Sequence, residues 1–153
     1  MCRKVTLKIS KLEDVAELSE KLRKEDISEL KALGHEPLEG LLKSFIGSKI
    51  CKSVFIEGEL SAMFGIAKIS KGWGMIWMLG SDKLFSVPMS MIKVAKRVIN
   101  NFLGEYDVLF NQVDTRNVSH VKWLKILGFS FGVSQIINNV EFKQFYKVTK
   151  RGK

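Results

Sequence analysis

Met75-Ile76-Trp77-Met78-Leu79 is an unbroken apolar run held between Gly74 and Gly80, and it constrains the fold more than any other stretch of the chain. A short apolar run without alternation, bounded by glycines, reads as a strand buried on both faces. A polar link follows, and Pro88 then opens a helix that reaches about Leu103. Met91, Ile92, Ala95, Val98, Ile99 and Phe102 line one face of it; Lys93, Lys96, Arg97 and Asn100 line the other. This is the strongest amphipathic pattern in the chain. Tyr106 to Phe110 reads as a further strand. A strand–helix–strand passage of this kind implies a parallel crossover, which is almost always right-handed.

The flanking segments imply antiparallel pairing around that crossover. Thr6 to Ile9 alternates like a strand, and Ser10 with Glu13 has the spacing of a capping box. Leu12, Val15, Ala16 and Leu22 follow at helical spacing. Asp26 is positioned to cap a second helix carrying Ile27, Leu30 and Ala32, and Gly34 to stop it. Pro37 suits the first turn of a third helix, with Leu38, Leu41, Leu42 and Phe45 as its stripe and Gly47 at its end. Lys52–Glu57 and Leu60–Ile69 read as a hairpin turning at Glu57-Gly58-Glu59, and Gly72-Trp73-Gly74 marks the next turn. Asn117 to Leu127 reads as a helix stopped by Gly128, and Phe129 to Val148 as two strands joined near Asn138-Asn139. The expected class is α/β (α+β): one mixed sheet with helices on both faces, a single domain spanning 1–153, and a basic C-terminal tail at about 147–153.

The chain has 153 residues with 46% hydrophobic and 27% charged content, which is ordinary globular composition. The net charge of +9 favours an acidic partner, and the tail adds Lys143, Lys147, Lys150, Arg151 and Lys153 without an acid. No nucleic-acid-binding motif is present, so association with nucleic acid is expected to be weak, electrostatic and salt-sensitive. Cys2 and Cys51 suggest no disulfide scaffold, and His35 and His120 form no metal-ligand spacing. No signal-peptide pattern and no membrane span is read, which points to a reducing, cytoplasmic setting.

Asn117-Val118-Ser119-His120-Val121-Lys122-Trp123-Leu124-Lys125-Ile126-Leu127-Gly128-Phe129 is the most specific segment. It resembles the signature of the GNAT (N-acetyltransferase) superfamily, in which an Asn opens a helix and Leu-Gly-Phe closes it. The element order is similar to that superfamily over roughly Thr6 to Tyr146. A narrower similarity is to GNAT-like proteins of tailed phages, some described as internal virion or assembly proteins. It is carried by Trp77-Met78-Leu79-Gly80-Ser81-Asp82, by Asn111-Gln112-Val113-Asp114-Thr115-Arg116-Asn117, and by His120 with Trp123-Leu124.

The resemblance implies acetyl-CoA as cofactor and an amine as acceptor; no metal is expected, because the sequence shows no metal-ligand spacing. Acetyl-CoA is expected where the Met75–Leu79 strand splays from the Tyr106–Phe110 strand. The backbone of Leu79 and Gly80 would hold the pantetheine arm. Ser81, Ser86, Met89 and Ser90 would meet the pyrophosphate near the start of the Pro88 helix, where free N–H groups favour anions. Asn117 would be a contact on the opposite wall, and its amide can face a ligand. Asp82 and His120 are the candidates for a general base; each also reads as an ordinary polar residue. Glu57 and Glu59 read as turn carboxylates, and Trp73, Trp77 and Trp123 as packing residues.

Two departures from the superfamily pattern bear on catalysis. The stretch Ser81-Asp82-Lys83-Leu84-Phe85-Ser86-Val87-Pro88 lacks the glycines that would let a backbone wrap a pyrophosphate, and Pro88 removes an N–H donor. Leu124 stands where many members carry a tyrosine acid. The chain therefore carries three expectations: acetyl transfer from acetyl-CoA to an amine, a non-catalytic GNAT-fold phage protein that binds a macromolecular partner, or, on its charge alone, a basic nucleic-acid-associated accessory protein. The partner would be met in virion assembly or host takeover, in the host cytoplasm or in the virion, and an acidic protein would suit the charge.

Overall fold

The structure, a computed structural model, describes residues 4–150. Strands β1 (Val5–Ile9), β2 (Ile50–Ile56), β3 (Glu59–Ser70), β4 (Trp73–Gly80), β5 (Val108–Asp114), β6 (Ser130–Ile137) and β7 (Val140–Val148) form a 7-stranded sheet in the order β1-β2-β3-β4-β5-β7-β6. The β4–β5 pair is parallel and its neighbours are antiparallel. Among the described residues the α-helices are α1 (Leu12–Ser19), α2 (Lys24–Ala32), α3 (Pro37–Gly47), α4 (Pro88–Leu103) and α5 (Val118–Ile126). The helix α4 carries the β4-to-β5 crossover with the bounds its sequence pattern implies.

Each face of the sheet has its own apolar layer. On one, Met91, Ile99 and Phe102 of α4 and Trp123 of α5 pack against Ile66, Leu109 and Phe145. On the other, Val15, Leu18, Leu30 and Leu41 of α1–α3 cover Leu60, Met63 and Leu79. This two-sided cover bears out the expected α/β class and the mixed sheet.

Local details depart from the sequence reading where burial outweighs a local signal. The cap of α1 is Lys11, whose backbone N–H bonds Asp14 Oδ2 at 3.0 Å; Ser10 instead places its hydroxyl 2.8 Å from that of buried Ser53. Leu12 and Ala16 face solvent, and Val15 and Leu18 form the buried stripe. Asp26 lies in the first turn of α2 but is fully buried and points away from the helix's free N–H groups. The run Met75–Met78 is half-buried rather than sealed on both faces. The fifth expected strand, Tyr106–Phe110, runs instead from Val108 to Asp114. Its polar end lies beyond the expected strand, where Asn111 Nδ2 donates to the Ile76 carbonyl at 2.7 Å and Gln112 Oε1 accepts from Gln135 Nε2 at 2.6 Å. Satisfied in this way, polar residues can extend a strand.

The β6–β7 turn forms at Asn138 and Asn139, with φ of 49° and 64°, as their sequence favours. Lys143 and Lys147, read as part of a solvated basic end, lie in β7, and Lys147 Nζ donates to the Leu127 carbonyl at 2.7 Å. Arg151, Lys153 and Cys2 lie outside the described residues. Among the described residues no helix is long and apolar enough to cross a membrane.

Candidate functional site between two splayed parallel strands

β4 and β5 pair only through Trp73 with Val108, Gly74 with Leu109 and Met75 with Phe110. Beyond that point they separate. The Asn111 amide takes the Ile76 carbonyl where the next ladder bond would form, and the twist carries the strands apart. The opening therefore lies between Ile76–Gly80 and Asn111–Asp114, further along β5 than the sequence placed it. It contains a cavity of ≈220 Å³. Met91, Ala95, Val98, Trp123 and Leu124 wall it on the α4–α5 side, and Glu29, Leu33 and Ser44 reach it from the other face. The cavity thus passes through the sheet. Its lining is predominantly apolar, and Leu124 offers it no proton. Gly65 is needed beside it, because a Cβ there would stand 2.7 Å from the Ile50 carbonyl and 2.8 Å from Trp77 Nε1.

The open end of the V is tied by a buried polar cluster. Asp26 Oδ2 accepts the backbone N–H of Gly80, at the end of β4, at 2.9 Å. Asp26 Oδ1 accepts from Asn117 Nδ2, just beyond β5, at 3.1 Å, so one carboxylate bridges both arms. Arg23 completes the tie: Nη1 donates to Asp26 Oδ1, Nη2 donates to Asn117 Oδ1, both at 3.1 Å, and its backbone N–H donates to the Gly80 carbonyl at 2.9 Å. Its guanidinium lies over the Phe85 ring at 4.4 Å, and Phe85 packs on Trp123 with ring centroids 4.3 Å apart. Arg23, Asp26 and Asn117 are 3%, 0% and 1% exposed, so the charges meet each other rather than water.

Electrostatics in the cleft follow from that burial. His120 Nδ1 lies 3.2 Å from Asn117 Nδ2, and burial lowers the imidazole's pKa, with Arg23 adding to the effect against Asp26. The ring is then neutral, with Nδ1 as acceptor and Nε2 carrying the hydrogen. The Glu29 carboxyl is pushed up to about 8, chiefly by burial, although it accepts the Asp114 backbone N–H at 2.9 Å.

The residues singled out from the sequence meet different fates. Asn117 and His120 sit together at the cleft, but the Asn117 amide gives both hydrogens to Asp26 and His120 and its oxygen to Arg23. It faces neighbours, not an open wall. Both backbone groups of Gly80 are engaged, and the register turns those of Leu79 toward Met63 on β3. Along this edge the alternation leaves Met78 facing the opening. Ser81 is buried and bonds the Ser61 carbonyl. Asp82, Ser86 and Met89 are exposed around a 3-10 turn at Asp82–Ser86, and Ser90 is half-buried; none of them lines the cavity. Arg23, Glu29 and Phe85 were not read as site residues, and Asp26 was read only as a helix cap. Their only signal is a pair of charges at i and i+3 at the start of α2, which also describes a solvated helix end.

No family model matches the chain. It is 28% identical over 131 residues to the probable scaffold protein gp13 of Escherichia phage T7, covering 83% of this chain and 86% of that one. Among solved structures, spermidine N-acetyltransferase from Vibrio cholerae, in complex with CoA and spermine, superposes with a TM-score of 0.72 at 14% identity over 97% of both chains. An acetyltransferase of the GNAT family from Bacillus anthracis gives 0.71 at 12% identity over 97% of this chain and 96% of its own. The splayed β4–β5 pair, the crossover through α4 and these superpositions together give the chain the GNAT acetyltransferase fold.

Proposed function

We propose that the chain is a GNAT-fold assembly protein, binding a macromolecular partner rather than transferring acetyl groups. The observation that carries this reading is the Asp26 carboxylate bonded at once to Gly80 and Asn117 across the open end of the V. A pantetheine arm laid along β4 would have to part that bridge and lift Arg23 from Phe85. The residues present therefore do not fit acetyl-CoA: the β4 end is already hydrogen-bonded at Gly80, and the Ser81–Pro88 link has no glycine to wrap a pyrophosphate. Leaving a buried polar group without its hydrogen-bond partner costs about 1–3 kcal/mol, a penalty that a cofactor would have to offset before it gained any contact. The similarity to a phage protein named as a scaffold supports the same reading, which has the protein working in the host cytoplasm during particle assembly or in the particle itself.

The acetyl-transfer reading retains two favourable observations. The cavity passes through the sheet as a donor–acceptor cleft must, and Glu29, on the face opposite α4 and α5, has a pKa raised to about 8 by burial, near the value a base for an amine requires. Calorimetric titration with acetyl-CoA, with CoA as control, separates the two readings. No heat is expected from the folded protein. Micromolar binding would overturn the assembly reading and direct attention to Glu29 and an amine acceptor.

A further inference from the structure

The outer surface of α4 and α5 is not explained by the cleft beneath it. Neither helix contains an acidic residue. On α4, Met89, Lys93, Lys96, Arg97 and Asn100 are exposed in one stripe. On α5, Val118, Lys122, Lys125 and Ile126 repeat the spacing i, i+4, i+7, i+8. No carboxylate among the described residues pairs with any of these cations, whereas Lys21, Lys43 and Lys83 elsewhere each have a partner. The two stripes meet at a groove of ≈330 Å³ lined by Lys96 and Asn100 of α4, Ile126 of α5, and Lys147 of β7. Met89 is 79% exposed, and Val118 and Ile126 are each 56% exposed, so apolar side chains stand among the cations.

We infer that this α4–α5 face is a docking surface for an acidic, amphipathic segment of another protein. Charge complementarity selects the sign of the partner, and a second copy of a chain with net charge +9 is repelled. The apolar residues select its class. Met89, Val118 and Ile126 gain nothing beside a phosphate backbone, and the face exposes no aromatic on which a base could stack, because Trp123 is buried. A segment with carboxylates spaced to meet Lys93, Lys96, Lys122 and Lys125, and with aliphatic residues between them, satisfies both. Burying those aliphatic groups adds an attraction that salt does not screen. The inference deepens the assembly reading by giving the partner's chemistry, and it uses residues separate from the Asp26 tie. Acetyl-CoA binding would remove the assembly reading and leave this surface standing; failure of the peptide test below would remove the surface alone.

The test uses the full chain and a synthetic helical peptide that presents Glu and Leu at i, i+3, i+4 and i+7. Oligothymidine of equal charge and poly-L-glutamate serve as comparison probes, and binding is read by fluorescence anisotropy at about 0.15 M salt. The peptide is expected to bind more tightly than either comparison probe. The charge-reversed variant Lys93→Glu/Lys96→Glu/Arg97→Glu, whose altered positions are all exposed, should lose roughly tenfold to a hundredfold in peptide affinity while keeping its circular dichroism spectrum. Ile126→Ser with Val118→Ser should narrow the gap between the peptide and poly-L-glutamate. Peptide affinity unchanged by the reversal, oligothymidine binding as tightly as the peptide, or no peptide binding overturns the inference.

Discussion

Asp26→Ala lowers the unfolding free energy by about 3–5 kcal/mol, the loss expected when one partner of a buried ion pair is removed. The substitution takes from Arg23, which is 3% exposed, its 3.1 Å carboxylate partner and leaves it only Glu25, 3.8 Å away. It also leaves the Gly80 N–H and one hydrogen of the Asn117 amide without an acceptor. A chain of this size should lose roughly 10 °C or more in Tm. Asp26→Asn should cost less, since an amide oxygen can still accept one of these bonds. Asp82→Ala, at an exposed position, should stay within about 0.5 kcal/mol of the parent. Urea unfolding followed by circular dichroism measures all three. An Asp26→Ala loss below about 1 kcal/mol would falsify the view that this cluster holds the two strands at a fixed separation.

Glu29→Gln removes a pH dependence. The Glu29 pKa is raised from 4.5 to about 8 in the folded protein, so between these values the folded state holds a proton that the unfolded chain releases. Stability from this group is fully present below about 4.5 and is lost as the pH rises through about 8. His120 acts in the opposite sense: its lowered pKa makes stability fall as the pH drops below the imidazole's ordinary range. The informative window therefore runs from about 7.5 to 8.5, where His120 is neutral in both states. Glutamine keeps the acceptor for the Asp114 N–H and carries no charge. The variant should gain on the parent steadily across that window, by up to a few kcal/mol at its alkaline end. Melting curves of both proteins at half-unit steps provide the comparison, and parallel Tm profiles would show that water reaches the carboxylate.

The largest elements were legible because their signals are local and redundant. Pro88–Leu103 has a proline at its first turn, an apolar stripe and an opposing basic one, and no competing period. The Asn138-Asn139 turn needs positive φ, which asparagine tolerates, and it forms where the residues stand. The unbroken run at Met75–Leu79 identified the central strand, and with the crossover it implied a parallel pair.

The tertiary structure decided what the sequence could not, and the reason is the same in each case: the deciding contacts join residues far apart in the chain. Asp26 and Asn117 are 91 positions apart, and Arg23 and Asn117 are 94 apart. Nothing near Asp26 distinguishes a helix cap from a carboxylate that bridges two strands. Asn117 is read correctly as the residue opening a helix, yet its amide is consumed by partners that only folding brings to it. Ser10 gives up its cap because Ser53, from another strand, lies within hydrogen-bond reach. The sequence by itself determined the order of elements, the crossover and the basic face of α4, since these follow from periodicity and charge along single segments. Whether the cleft at the end of β4 is open or tied was decided only by packing α2 against it, because a buried carboxylate must find its donors wherever the fold supplies them.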